Sequence, residues 1–133
     1  MGNYQPIAKN VWTLANSGLS TTLAASGDST NAGALGPIDL HDVCDLVLSV
    51  ITGAPAGTNP SLTVQVDMQD ASGNWLPAVI TTAAITTAKT TVVYGGLHMP
   101  GTPVVLTGRG RVTWTVGGTA GPTWPVSISL AGR

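Results

Sequence analysis

Charge is what this sequence has least of. Only 8% of its 133 residues are charged, against roughly a quarter in an average soluble domain. Glutamate and phenylalanine do not occur at all. Five basic residues are spread over the whole length and the formal net charge is −1. A free nucleic-acid binder shows a basic patch, so no nucleic-acid partner is expected. Such a surface gives little electrostatic steering to any charged ligand. Weak, near-neutral charge favours association over dispersal, which suits a protein docked in an assembly.

Cysteine is nearly absent too. Cys44 stands alone, so no intramolecular disulfide can form and stability must come from packing. It lies in an apolar run, which predicts a buried and inert thiol. No segment approaches the roughly 20 apolar residues that span a bilayer, so no membrane partner is expected. The start, MGNYQPIAKNVWTL, lacks the cationic stretch and apolar block of a secretory signal. Gln5-Pro6 stands where a myristoylation motif needs Ser or Thr. Asn59-Pro60-Ser61 is a glycosylation sequon blocked by its proline.

Apolar residues, at 43%, are ordinary in number, and Thr, Ser, Gly and Ala fill the place of charge. A disordered chain would be poor in apolar residues and rich in charge; this one should fold, as one domain around one core. The pattern is that of strands. In RGRVTWTVGGTAGPTWPVSISLAGR, at 109–133, Val112, Trp114 and Val116 alternate with Arg111, Thr113 and Thr115. After a Gly/Pro-rich break, Val126, Ile128 and Leu130 alternate with Ser127 and Ser129. Side chains on a strand alternate between faces, so this predicts two half-buried strands joined by a loop, a closing hairpin. Trp114 is the expected centre of the core.

SLTVQVDMQD at 61–70 is the cleanest strand, with Leu62, Val64, Val66 and Met68 inward and Thr63, Gln65, Asp67 and Gln69 outward. GAPAGTNP at 53–60 reads as a turn, and ASGNW at 71–75 as another, with Gly73 or Asn74 supplying the positive φ. Residues 46–51 are apolar on nearly both faces and predict a central strand covered on both sides. Further strands are expected over 11–14, 19–24, 76–81 and 90–94, with loops at 26–37 and 83–88. The sum is about eight short strands, an all-β, single-domain antiparallel β-sandwich or jelly roll. It occupies 11–133, after an extended N-terminal arm over 1–10 in which Pro6 hinders regular pairing.

No catalytic set stands out. Asp39, His41, Asp42, Cys44 and Asp45 cluster in sequence, but zinc wants three or four converging ligands, and only His98 lies elsewhere to complete them. A polar strand entry explains the cluster, so no metal or cofactor is expected. Asp67 and Asp70 flank a turn, with no sign of the cleft and the raised carboxyl that glycoside hydrolysis needs. No nucleophile-elbow motif is present, and the Gly-rich stretches lack the strand-to-helix context of a phosphate loop. The protein is not expected to be an enzyme.

Binding residues are better candidates. Arg109 and Arg111 share a polar strand face. They either pair with Asp67 or Asp42 or offer forks to a partner carboxylate. Trp75, just after a turn, and Trp124, between two prolines, could pack in the core, anchor a protein interface or stack on a sugar.

SLTVQVDMQDASGNW resembles the strand–turn–Trp segment of small β-sandwich proteins of tailed bacteriophages, with Ser72 where Asp is common. Arg111-Val112-Thr113-Trp114-Thr115-Val116, the final alternating strand and Gly132-Arg133 resemble their closing hairpin. The loop Gly117-Gly118-Thr119-Ala120-Gly121-Pro122 is one or two residues longer. The likeness covers 61–76 and 109–133 and is to head decoration, or capsid cement, proteins. It implies a structural virion protein, made in the host cytoplasm and carried on the capsid surface. It further implies a homo-oligomer, a trimer, bound to the major capsid protein. Tyr4 and Pro6 of the arm would then contact a neighbour by strand addition, with Arg109, Arg111, Trp75 and Trp124 as further partner contacts. Two other classes stay open. A carbohydrate-binding module would lose glycan binding on Trp75→Ala or Trp124→Ala; another minor head or tail protein would be found in tails or at one vertex.

Overall fold

The computed structural model describes residues 9–14, 19, 21–30, 37–99 and 103–133. Among them the regular structure is entirely β. In chain order the strands are β1 (Lys9–Leu14), β2 (Thr21–Leu23), β3 (Gly27–Asp28), β4 (Ile38–Asp39), β5 (Asp45–Thr52), β6 (Ala56–Gln69), β7 (Trp75–Thr81), β8 (Thr90–Gly96) and β9 (Arg109–Gly132). All pairings are antiparallel. The expected all-β, single-domain antiparallel architecture is therefore present, with nine strands in place of about eight. Tyr4 and Pro6 lie outside the described residues. Lys9 and Asn10, placed with the arm by their sequence, belong to β1 and pair with Gly132 and Ala131.

One long ribbon organises the molecule, and it overturns the closing hairpin. A hairpin requires its two arms to pair with each other. Here the N-terminal half of β9 pairs with β6 and the C-terminal half with β5. Leu46 lies opposite Gly132 and Met68 opposite Gly110, the same distance apart along either strand. Thus β5 and β6 follow β9 end to end, and 53–60 is no reversal but runs through a bend beside 117–125. A straight 24-residue strand would span about 80 Å, more than a domain of this size is wide, so the ribbon must fold over. It does so where Gly57 (φ 96), Asn59 (φ 48), Gly118 (φ 119), Ala120 (φ 58) and Gly121 (φ 66) leave the ordinary strand region. A Cβ on Gly118 would sit 2.9 Å from the carbonyl oxygens of Thr58 and Asn59. Glycine there lets two backbones touch. Gly/Pro composition signals this bend and a turn alike.

The bend divides the sheet into two layers. The first holds β1, β2, β5, β8 and the C-terminal half of β9. The second holds β3, β4, β6, β7 and the N-terminal half. Along the path β7-β6-β9-β5-β8 the two outermost strands come back towards each other. A Cβ on Gly95 would sit 2.5 Å from the Ile80 side chain, so the sheet nearly closes into a barrel.

Side chains of alternate residues fill the space between the layers. Leu62, Val64, Val66 and Met68 are buried as their alternation predicts, and Val112, Trp114, Val126, Ile128 and Leu130 join them from β9. Trp114 lies against Gly27, where a Cβ would come 3.3 Å from the indole. Val116 is only partly buried. On β5 the expectation of two covered faces fails. The strand is central, between β8 and β9, but beyond Asp45 at its start only the alternate residues Leu46, Leu48, Val50 and Thr52 are buried, and Ile51 is 43% exposed. Hydrogen-bonded neighbours on both sides cover the edges of a strand, not its second face. The 83–88 segment is a loop, as predicted, tied in by a single bridge from Ile85 to Leu62. Among the described residues no helix is long and apolar enough to cross a membrane.

Candidate functional site

The outer face of the second layer carries the most developed polar cluster, centred on Asp67. A bulge in the β6–β7 ladder between Val66 and Met68 sets this carboxylate opposite Ala78, which takes a positive φ of 54°. Asp67 Oδ1 accepts from Ala78 N at 2.9 Å and Gln65 Nε2 at 2.8 Å; Oδ2 accepts from Arg111 Nε and Thr113 Oγ1, both at 2.8 Å. The guanidinium of Arg111 then lies over the Trp75 ring, 4.3 Å from its centroid, and 3.9 Å from Asp28. Asp67 was expected outward and exposed. It does face outward, but its side chain is 1% exposed beneath Arg111. Burial pushes this carboxyl up, and the four hydrogen bonds outweigh it, so it stays below the ordinary carboxylate value.

These contacts decide how the predicted binding residues are placed. Arg111 takes the intramolecular alternative, with Asp67 and not Asp42 as partner. Trp75 is half-buried with one ring face covered by Arg111. Trp124 is fully buried, which corrects its place among the partner-facing candidates. Its position opposite Leu23 in the β2–β9 ladder turns it into the core despite the flanking prolines. The indole stacking surface that a sugar would need is thus withdrawn at Trp124 and halved at Trp75. Arg109 alone of the pair is exposed, opposite Asp39, in a shallow groove with Pro37 and His41.

The sequence cluster 39–45 splits in two. His41 Nδ1 lies 2.6 Å from Asp39 Oδ1 on the surface, both side chains well exposed. The backbone N–H and the ring of His41 hold the Asp39 carboxyl below its usual value. Asp45 is buried and clasps the far end of the chain. Its carboxylate accepts from His98 N at 2.8 Å, faces the His98 ring at 3.0 Å and meets Arg133 Nε at 3.4 Å. Burial raises the Asp45 carboxyl; the bonds from His98 and Arg133 bring it down on balance. Among the described residues no three His, Cys, Asp or Glu side chains converge as a metal ion requires. Cys44 is exposed, contrary to the buried thiol predicted. It sits in the bend before β5, where Val43 and Asp45 on either side turn inward. Asp70 binds its own turn through Ser72 N and Asn74 N, both at 2.8 Å. The backbone and side chain of Asn74 lower its carboxyl. Neither Asp67 nor Asp70 has the raised carboxyl of a general acid.

The outer face of the first layer differs in kind. Val47, Ser49 and Ile51 of β5 lie between Tyr94, Val92 and Thr90 of β8 and Ala131, Ser129 and Ser127 of β9. None of these nine side chains is charged. Tyr94 is 63% exposed, Val92 and Ile51 each 43%. At one end Tyr94, Val47, Met99 and Ala131 line a shallow groove beside Asp45 and Arg133. The sequence hid this surface because both alternating sets on β5 and β8 are apolar. Period two says that the faces differ, not which one faces out.

No family model, curated protein or solved structure matches this chain. The likeness to phage decoration proteins rests on the motifs at 61–76 and 109–133 alone, and the second of these is one bent strand.

Proposed function

We propose that this is a structural virion protein, a decoration or cement protein bound to the outside of a bacteriophage capsid. The observation that carries the reading is the uncharged outer face of the first layer, with Ile51, Val92 and Tyr94 exposed together. Contiguous apolar patches on a surface mark interaction sites. The scarcity of charge and the motif resemblance point the same way. In this reading the face seats against the major capsid protein, residues 1–8, ahead of β1, add a further contact through Tyr4 and Pro6, and the docking unit is a trimer. The mechanism is mass action. A ligand that binds only the assembled shell stabilises it by RT ln(1 + [L]/Kd), about 2.7 kcal/mol per site at one hundred times Kd. Many copies multiply that gain.

The test is co-sedimentation with purified capsids stripped of this protein, using the full chain, a form lacking 1–8, and Ile51→Asp. The full chain is expected to pellet with shells and to raise their disruption temperature. Ile51→Asp should lose at least tenfold in affinity, because its carboxylate would have to be desolvated in the contact. Failure of the full chain to bind shells overturns the reading. Undiminished binding without 1–8 removes only the arm, and recovery of the protein in tails would favour a minor tail component.

A further inference from the structure

The β8 strand is an edge, and its backbone shows which groups are left over. Leu97 N donates to Cys44 O at 3.0 Å and Thr52 N to Lys89 O at 2.9 Å. Bonded and non-bonded pairs alternate in an antiparallel ladder, so Lys89, Thr91, Val93, Gly95 and Leu97 aim their backbone groups at β5. Thr90, Val92, Tyr94 and Gly96 aim theirs away. Gly96 O accepts from Val104 N at 3.1 Å. The N–H and C=O of Thr90, Val92 and Tyr94 have no partner among the described residues.

Proteins guard such edges with charge, proline, bulges or brevity. The other edges here are guarded. β7 has Pro77, a bulge and the positive φ of Ala78. β1 has Lys9 and a bulge between Asn10 and Trp12. β2, β3 and β4 are three residues or fewer. β8, with sequence TTVVYGG, has no charge, no proline and no register shift.

We propose that β8 pairs antiparallel with β8 of a second copy of this chain, about a twofold axis at Val92. Self-complementarity selects this occupant. The open stretch is closed at one end by Val104 on Gly96 and by Ile80 against Gly95, which leaves Thr90, Val92 and Tyr94, centred on Val92. An antiparallel copy sets Val92 against Val92 and Thr90 against Tyr94. Each opposed pair exchanges two bonds, so every leftover group is satisfied. The exposed Val92 and Tyr94 side chains lie beside those of the copy on one continuous outer face. Charge does not oppose the pairing: the two Lys89 side chains stand roughly 20 Å apart along the strands, well beyond the roughly 8 Å screening length. The contact relates copies in pairs and is distinct from a threefold association.

Sedimentation velocity and light scattering on the full chain test it. The mass is expected to be an even multiple of the protomer. Val92→Lys should halve it while the circular dichroism spectrum stays put, because the side chain is on the surface, and Tm should lose its dependence on protein concentration. Thr86→Lys, which adds the same charge on an exposed loop, should change nothing. In a Cys44→Ser background, Val92→Cys should form a disulfide-linked dimer on mild oxidation. Bonded antiparallel partners have Cα atoms about 5.5 Å apart, within disulfide reach; Thr86→Cys should not cross-link. A protomer that stays single at all concentrations, a mass untouched by Val92→Lys, or no cross-link through Val92→Cys overturns the proposal.

Discussion

Trp114 and Trp124 are both buried on β9, yet their energetics differ. Trp114 fills the space that Gly27 leaves open against β6. Trp124 is fully buried with no hydrogen-bond partner for Nε1 among the described residues. An unsatisfied buried donor costs about 1–3 kcal/mol. Trp124→Phe removes that cost and leaves a cavity worth about 1 kcal/mol, so stability should hold or rise by up to about 2 kcal/mol. Trp114→Ala should lose about 3–5 kcal/mol and with it cooperative unfolding. Urea titrations of both variants check this; a large loss in Trp124→Phe would mean that its N–H is satisfied. Alternation assigned Trp114 to the core. The alternation of Val126, Ile128 and Leu130 extends back to Trp124 as well, and the strand keeps it across Pro125; the nearby prolines obscure that signal without breaking it.

At the scale of elements, the bent ribbon rests on a few glycines. Gly118 combines a φ of 119° with backbone oxygens 2.9 Å from any added Cβ. Gly121 has a φ of 66° and open space. Both are strained by a side chain, but only the first also collides. Gly121→Ala should cost about 1–2 kcal/mol, the penalty of the left-handed region. Gly118→Ala should cost more than about 3 kcal/mol, since two backbones must part. Thermal unfolding ranks the pair; equal losses would mean that the ribbon yields there. Strands β1, β2, β6, β7 and β8 were readable because each has its own alternation or flanking turns. The partners of β9 were not. A stretch rich in glycine and proline fits a hairpin loop and a strand bend equally well, and only long-range pairing with 56–61 tells them apart.

Across the whole molecule, stability should depend on acid in a defined way. The carboxyls of Asp45 and Asp67 are buried and held below their unfolded value, which is about 3.9. With a depressed folded pKa, their contribution is present above the unfolded value and is lost as pH falls through the folded one. Tm should be level between about pH 7 and 5 as far as these groups go, and should fall below about pH 4. That limb should survive high salt, since buried pairs are little screened. Asp67→Asn should lessen the acid slope by up to about 1.4 kcal/mol per pH unit. An unchanged slope would show that Asp67 is not held in its charged form. By itself the sequence determined the class: alternating apolar residues with hardly any charge can bury one face only as strands, and the length permits one core. Tertiary structure alone decided that the last quarter is a single bent strand, that Asp67 is buried beneath Arg111, and that Val92 and Tyr94 are exposed. Each of these depends on which distant segment lies alongside. Periodicity constrains the two faces of a segment but carries nothing about its neighbours.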